Sequence, residues 1–138
     1  MKKYALIAAS TLVLAGCVTQ EQADEKMAKG CEAGVSSMIA PKEIASVKTK
    51  NYADEQAEGG LHRRVTLGVV EKDGWLEIDK EYSCLFMEQW GMFKSSHKAL
   101  LVQVKIDDSI YGKVDGVITG SLDDFLKLSE NVDQAMGQ

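Results

Sequence analysis

The chain has 138 residues, a formal net charge of −5 and a hydrophobic content of 45%. This length predicts one small domain, and the acidic balance without a basic stripe argues against a nucleic-acid partner. An acidic body also adheres poorly to anionic membrane surfaces, so any membrane attachment must come from a dedicated anchor.

The first seventeen residues follow the order of an export signal. Lys2 and Lys3 precede a short apolar run, and the small residues Ala15 and Gly16 stand directly before Cys17. A membrane-spanning helix needs about 20 apolar residues, and this run is shorter. The pattern therefore favours a signal peptide over a permanent transmembrane helix.

The four residues Leu14-Ala15-Gly16-Cys17 resemble the lipobox of bacterial lipoproteins. The resemblance implies that the Cys17 thiol receives a diacylglycerol, that cleavage precedes Cys17, and that the new amino group is acylated. Several acyl chains on one residue give a stable membrane anchor. Val18, where an aspartate would imply retention at the inner membrane, implies the outer membrane facing the periplasm. The alternative is an ordinary secretory signal followed by a chance cysteine.

The same resemblance sets the domain organisation. It implies a cleaved signal peptide over residues 1–16 and a lipidated tether over residues 17–20. The remaining residues 21–138 form a single domain, for which the elements described below predict the α+β class. Because the tether is so short, we expect the folded domain to lie close to the membrane surface.

Two cysteines remain once Cys17 is assigned to lipid. Cys31 and Cys84 form an even pair in an exported chain, which predicts a disulfide. The bond would close a long loop, for which chain entropy predicts about 4 kcal/mol of stabilisation. The alternatives are two buried free thiols or a redox pair, although a redox pair usually has the Cys-x-x-Cys spacing that is absent here.

The first predicted element is an amphipathic helix. Thr19 and Gln22 have the spacing of a capping box, and Pro41 ends the helix. Gly30 and Gly34 either weaken it or mark close packing against a sheet. The apolar positions at helical spacing form one stripe, which includes a cysteine and should face the core: Met27, Cys31, Val35, Met38 and Ile39.

Alternating apolar residues then predict a sheet. Short connections favour an antiparallel meander, and Lys48 and Lys50 favour an edge position for the first strand. Lys72-Asp73-Gly74 predicts a hairpin, and Cys84 lies on the face that should pack against the helix. The four predicted strands cover residues 43–53, 61–71, 75–88 and 98–107.

The remainder of the chain predicts a connection and a second helix. Residues 108–120 are rich in glycine and predict a turn-rich connection, with at most one short strand at Val117 and Ile118. Ser121 and Asp124 predict a capped final helix. Its predicted apolar face consists of Leu122, Phe125, Leu126, Ser129, Val132 and Met136.

The predicted fold class is α+β, with an N-terminal helix packed on a four-stranded antiparallel sheet and a short C-terminal helix. This order, with cysteines in the first helix and near the end of a strand, is similar to small disulfide-bonded periplasmic α+β proteins. That likeness implies no function.

The sequence carries no catalytic signature. His62 and His97 are its only histidines, and we expect surface histidines rather than a two-histidine metal site. Glu77, Asp79 and Glu81 alternate along one strand and predict a solvated face. We therefore expect no enzyme activity, no catalytic or metal-binding residue and no cofactor.

Three large apolar residues, Trp90, Met92 and Phe93, lie in a predicted loop over residues 89–96. One interpretation is that this loop folds back over an open end of the core. The other is an exposed patch for a partner protein or a membrane surface.

Together with the anchor, these features predict a non-enzymatic lipoprotein of the cell envelope that binds an envelope protein or supports envelope assembly. The alternatives are an envelope hydrolase or small-ligand binder, and a lipoprotein inhibitor of a foreign enzyme.

Overall fold

The computed structural model describes residues 16–57 and 59–138, so the predicted signal peptide up to residue 15 lies outside the described residues. Neither helix in this part of the chain is long and apolar enough to cross a membrane. Neighbouring strands are antiparallel and follow one another in chain order across a single sheet. The elements are α1 (Gln20–Ile39), β1 (Glu43–Ala57), β2 (Gly60–Asp73), β3 (Leu76–Trp90), β4 (His97–Ile106), β5 (Ser109–Val114), β6 (Val117–Thr119) and α2 (Leu122–Met136).

The α+β class with a helix at each end is confirmed, but the prediction of four strands is wrong because the sheet has six. β5 and β6 form where a turn-rich connection was expected. Asp107 and Asp115 have positive φ angles of 52° and 49° and begin two-residue turns between strands. Neither short strand shows clean alternation, and Gly112 interrupts β5 with a φ of 112°. The sequence therefore indicates the turns of these two short hairpins but not their strands.

The helix α1 begins and ends where the sequence predicts. The Thr19 hydroxyl accepts from the Gln22 amide at 3.2 Å, and the Gln22 side chain accepts from the Thr19 amide at 3.0 Å. This capping box satisfies two amide groups that the helix leaves free. Met27, Cys31 and Val35 are fully buried against the sheet, so the predicted stripe forms the helix side of the core.

A disulfide joins α1 to the middle of the sheet. Cys31 and Cys84 are both fully buried, with their Cα atoms 5.7 Å apart. Cys84 pairs with Val65 on β2 and with Val104 on β4. The bond therefore crosses the centre of the apolar core.

The two glycines of α1 pack against α2, not against the sheet. A Cβ at Gly30 would lie 2.7 Å from Met136 Cγ, and one at Gly34 would lie 2.8 Å from Val132 Cγ2. Both distances are shorter than a real Cβ contact. The absence of side chains at these positions is what brings the two helices together.

The predicted apolar face of α2 is partly wrong. Leu122 and Leu126 are about half exposed, whereas Leu128 is buried together with Val132 and Met136. The contact with α1 selects this stripe of the helix. Ser121 occupies the N-cap position, but its side chain makes no capping hydrogen bond.

Two predicted loops are shorter in the structure. β1 lies at the sheet edge as predicted, but it continues to Ala57, so much of the gap between the predicted strands 43–53 and 61–71 is strand. β3 continues to Trp90, and a 3₁₀ turn at Met92–Lys94 leads into β4.

Candidate functional site

The predicted lipidation site lies at one end of the domain. Cys17 is exposed and is followed directly by Val18, whose amide donates to the Lys94 carbonyl at 2.8 Å. Thr19 then caps α1. The chain is thus tied to the turn between β3 and β4 one residue after Cys17, so the attachment point is fixed relative to the domain.

The predicted contact residues of this turn divide into two groups. Trp90 is half-buried and packs against the core, with its ring 4.5 Å from the His97 ring. Met92 and Phe93 are 79% and 89% exposed. Trp90 therefore packs back onto the core, whereas Met92 and Phe93 are exposed to solvent.

The turn is tightly hydrogen-bonded despite its exposure. The Gly91 amide donates to the Ser96 carbonyl at 2.9 Å, and the Lys94 amide donates to the Gly91 carbonyl at 3.1 Å. Phe93 and Lys94 both have a φ of 55°. Left-handed backbone is unfavourable for a residue with a side chain, and such strain persists where the surrounding contacts hold it. The turn thus presents its two apolar side chains outward in a defined conformation.

Behind the turn lies a buried ion pair that the sequence did not reveal. Arg63 donates to both carboxylate oxygens of Asp24, at 3.0 Å from Nε and 2.7 Å from the terminal nitrogen. A third Arg63 nitrogen donates to Asp54 at 2.9 Å. The hydrogen bonds with Asp24 raise the pKa of Arg63 further above its usual range. The positive charge of Arg63 on the apolar face of β2 is thus paired with the negative charge of Asp24 on α1.

A second pair continues this network. His97 Nε2 lies 3.0 Å from Glu88 Oε1, and the two side chains are 1% and 3% exposed. Gln20 links the pairs because its amide donates to both Asp24, at 3.0 Å, and Glu88, at 3.2 Å. Burial lowers the pKa of His97, while the hydrogen bond with the Glu88 carboxylate opposes that shift. Because both groups are sealed from solvent, this pair is out of reach of a dissolved substrate.

The expectation of surface histidines is wrong, because both rings are buried. His62 is 2% exposed, and its Nδ1 lies 2.8 Å from the Gly60 carbonyl. It pairs with Met87, the strand neighbour of Glu88. Successive strand residues face opposite sides, so the two histidines lie on opposite faces of the sheet. Within residues 16–57 and 59–138 no cluster of His, Cys, Asp and Glu could hold a metal ion.

The sheet face away from the helices carries an open groove of about 510 Å³. Its lining is about equally polar and apolar, and the apolar residues include Leu85, Met87 and Leu100. The turns at the far ends of β1 and β5 both line it, so the sheet curls around this face. Polar side chains of the lining are Glu55, His62, Gln103, Lys113 and Asp115.

The opposite end of the molecule exposes a second apolar surface, where alternation along the strand had predicted that Leu76 and Ile78 face the core. Trp75 is 91% exposed, and the adjoining Leu76 and Ile78 are 47% and 41% exposed. Trp75 follows Gly74, whose φ of 64° suits the first position of a two-residue hairpin turn. We call these three apolar residues the hairpin tip. In the sequence, Gly74 was the residue that could have located this surface, because it predicts the turn that carries the Trp75 indole.

Of the predicted lipobox, the structure describes Gly16 and Cys17. The candidate sites lie in the globular part of the chain or next to it: the exposed Cys17, the turn at Met92 and Phe93, the groove and the hairpin tip. No protein-family model, curated protein or solved structure matches the chain significantly.

Proposed function

We propose that the chain is a lipoprotein of the bacterial cell envelope, anchored by acyl chains on Cys17, and that its domain is a non-enzymatic module that binds an envelope protein. The lipobox supports the anchor, and Val18 supports the outer membrane facing the periplasm. The short link from Cys17 to α1, with Val18 bound to Lys94, supports a domain held directly at the membrane.

The observation that carries the proposal is the separation of the hairpin tip from Cys17. β3 has 15 residues, which at about 3.3 Å per residue spans roughly 45 Å. Its end at Trp90 lies beside the turn that binds Val18, and its start at Leu76 follows Trp75. A domain anchored at Cys17 therefore presents Trp75 away from the membrane.

The hairpin tip has the composition of a protein-binding surface. A solvent-exposed tryptophan is costly in water and is common among residues that dominate protein–protein binding. Glu77 and Asp79 flank the tip as exposed acidic side chains. Glu77 lies opposite Lys72 on β2, and Asp79 pairs with Lys48 at 3.0 Å, so the charges around the tip are balanced. We infer that the partner offers an apolar pocket for the indole.

Site-specific photocrosslinking in intact cells tests this proposal. A benzophenone amino acid at position 75 should give one discrete crosslinked protein, and the same amino acid at position 126 is the matched control. Leu126 is 56% exposed on α2 and lies outside the hairpin tip. Absence of a product specific to position 75 would contradict the proposed binding role.

The groove supports a second candidate, in which the domain binds a small apolar ligand with a polar end. Apolar residues with convergent polar groups are the usual character of such sites. Native mass spectrometry of protein extracted from its host should then show a bound small molecule. Met87→Trp, which fills the groove, should abolish that adduct, and Leu126→Trp should retain it.

A further inference from the structure

We propose, on the basis of the lipid anchor proposed above, that Met92 and Phe93 insert into the surface of the same bilayer that holds the acyl chains of Cys17. The domain is then fixed to the membrane by two adjacent contacts, one covalent and one through the turn. This contact sets the orientation in which the hairpin tip points away from the lipid.

The first support is position. The Val18 amide binds the Lys94 carbonyl at 2.8 Å, and successive Cα atoms are about 3.8 Å apart. Cys17 is therefore within about one residue of the turn. When the acyl chains of Cys17 enter a bilayer, Met92 and Phe93 lie at its surface.

The second support is chemical complementarity. Between positions 89 and 98 the chain has no acidic residue and carries Lys94 and Lys98, in a protein of net charge −5. Lys94 Nζ lies 5.2 Å from the centre of the Trp90 ring. Apolar side chains outermost, with an indole and ammonium groups behind them, match the order of a bilayer interface, where Trp and Lys favour the headgroup level.

The third support is the conformation of the turn. Phe93 is 89% exposed and has a φ of 55°. In water the Phe93 side chain gains nothing from this arrangement, because little of the ring is covered by residues 16–57 and 59–138. Insertion into lipid supplies the apolar contact that the domain itself does not provide.

Spin labelling of the lipidated protein tests the inference. Cys17 is acylated and Cys31 is paired with Cys84, so Phe93→Cys introduces the only free thiol. A nitroxide at this position is examined in vesicles of phosphatidylethanolamine and phosphatidylglycerol. The matched control is Leu122→Cys, which replaces a half-exposed apolar residue at the start of α2.

The label at position 93 should be more accessible to oxygen, which concentrates in lipid, than to a polar nickel chelate. The label at position 122 should show the reverse order. In the same variants with Cys17→Ser, which carry no acyl chain, and without vesicles, both labels should be accessible to the nickel chelate. A label at position 93 that stays accessible to the chelate in vesicles overturns the inference and leaves the turn to a protein partner.

Flotation and intact mass separate this result from the proposed function. If the protein floats with vesicles and carries acyl chains on Cys17, a water-exposed label at position 93 contradicts the insertion alone. If Cys17 carries no acyl chain, both the anchor and the insertion are contradicted. Thermal unfolding of Phe93→Cys should match that of the unaltered protein, because the replaced side chain is exposed.

Discussion

Arg63 is a cation on the face of β2 that packs against α1. Its guanidinium binds Asp24 through two hydrogen bonds, and the two side chains are 14% and 9% exposed. Removing one member of a buried pair leaves an uncompensated charge, which costs about 3–5 kcal/mol. We therefore expect Arg63→Met to lower the free energy of unfolding by that amount, as measured by urea denaturation.

Two further variants identify the cause of this effect. The double variant Arg63→Met/Asp24→Leu should regain most of the lost stability, since it removes both charges. Arg64→Met is the matched control, because Arg64 pairs with the more exposed Glu55 and an exposed pair contributes about 0–1 kcal/mol. Equal losses for the two single arginine variants would contradict the role of the buried pair.

His97 makes stability depend on pH. Burial lowers its pKa below the ordinary value of 6.5, so the unfolded chain binds a proton at a higher pH than the folded chain. Glu88, Asp24 and Lys26 are the charged groups that face the ring, and the two carboxylates oppose the shift. The stabilisation that follows from burying a neutral His97 should therefore be complete above about pH 6.5. The free energy of unfolding should decrease as the pH falls below that value.

The urea midpoint at several pH values measures this effect. Between about pH 7 and about pH 5, His97→Gln should show a smaller decrease than the unaltered protein. The pKa of the Glu55 carboxyl is lowered from 4.5 by its hydrogen bond with Arg64. Protonation of Glu55 therefore changes stability below this pH window. An unchanged decrease in the variant would assign the effect to another group.

The pair Cys31 and Cys84 allows a third test of stability. The two residues are 53 positions apart, and a crosslink that closes a loop of this length contributes about 4 kcal/mol through the unfolded chain. Cys31→Ala/Cys84→Ala should lose that amount in urea denaturation. Unaltered protein treated with a reductant should lose a similar amount, and an unchanged midpoint in both samples would contradict the crosslink.

At the scale of the elements, the glycines of α1 hold the two helices together. Gly34 faces Val132, and a Cβ there would lie 2.8 Å from that side chain. Gly34→Leu should force α2 away from α1 and lower the free energy of unfolding by about 1–3 kcal/mol. Lys29→Leu, on an exposed position of the same helix, should change it little. Comparable thermal unfolding of Gly34→Leu and the unaltered protein would contradict this account of the helix contact.

The strong periodicities in the sequence predicted α1, the three long strands that follow it and β4. They also placed Cys31 and Cys84 on facing surfaces, because helical and strand spacing each put the cysteine among apolar residues. β6 includes the short strand that the sequence allowed at Val117 and Ile118, whereas β5 was missed because Gly112 and the two-residue turns interrupt alternation over a strand of six residues.

The polar network behind the turn could not be predicted from local pattern. Arg63 interrupts an apolar strand face, and its partner Asp24 lies on the polar start of the helix, 39 residues away. His97 was expected at the surface because Glu88 pairs with it only after β3 and β4 fold together. The exposed positions of Met92 and Phe93 were one of two open interpretations, since chain folding at the turn decides between them.

At the scale of the whole molecule, the sheet links two apolar surfaces at opposite ends. Cys17 and the turn at Met92 and Phe93 lie at one end, and Trp75 lies at the other. The body of the domain is acidic, whereas residues 89–98, which include the turn beside Cys17, contain no acidic residue. Both the partner surface and the bilayer contact depend on acylation of that cysteine.

Intact-mass spectrometry of the protein extracted from its host membranes tests this dependence most directly. The account predicts a chain that begins at Cys17, carries a diacylglycerol and an amide-linked acyl chain, and is two hydrogen atoms lighter than its reduced form. Cys17→Ser should yield no lipid adduct. A protein that keeps Met1, or that begins at an unmodified Cys17 and remains dissolved in the periplasm, would contradict the account.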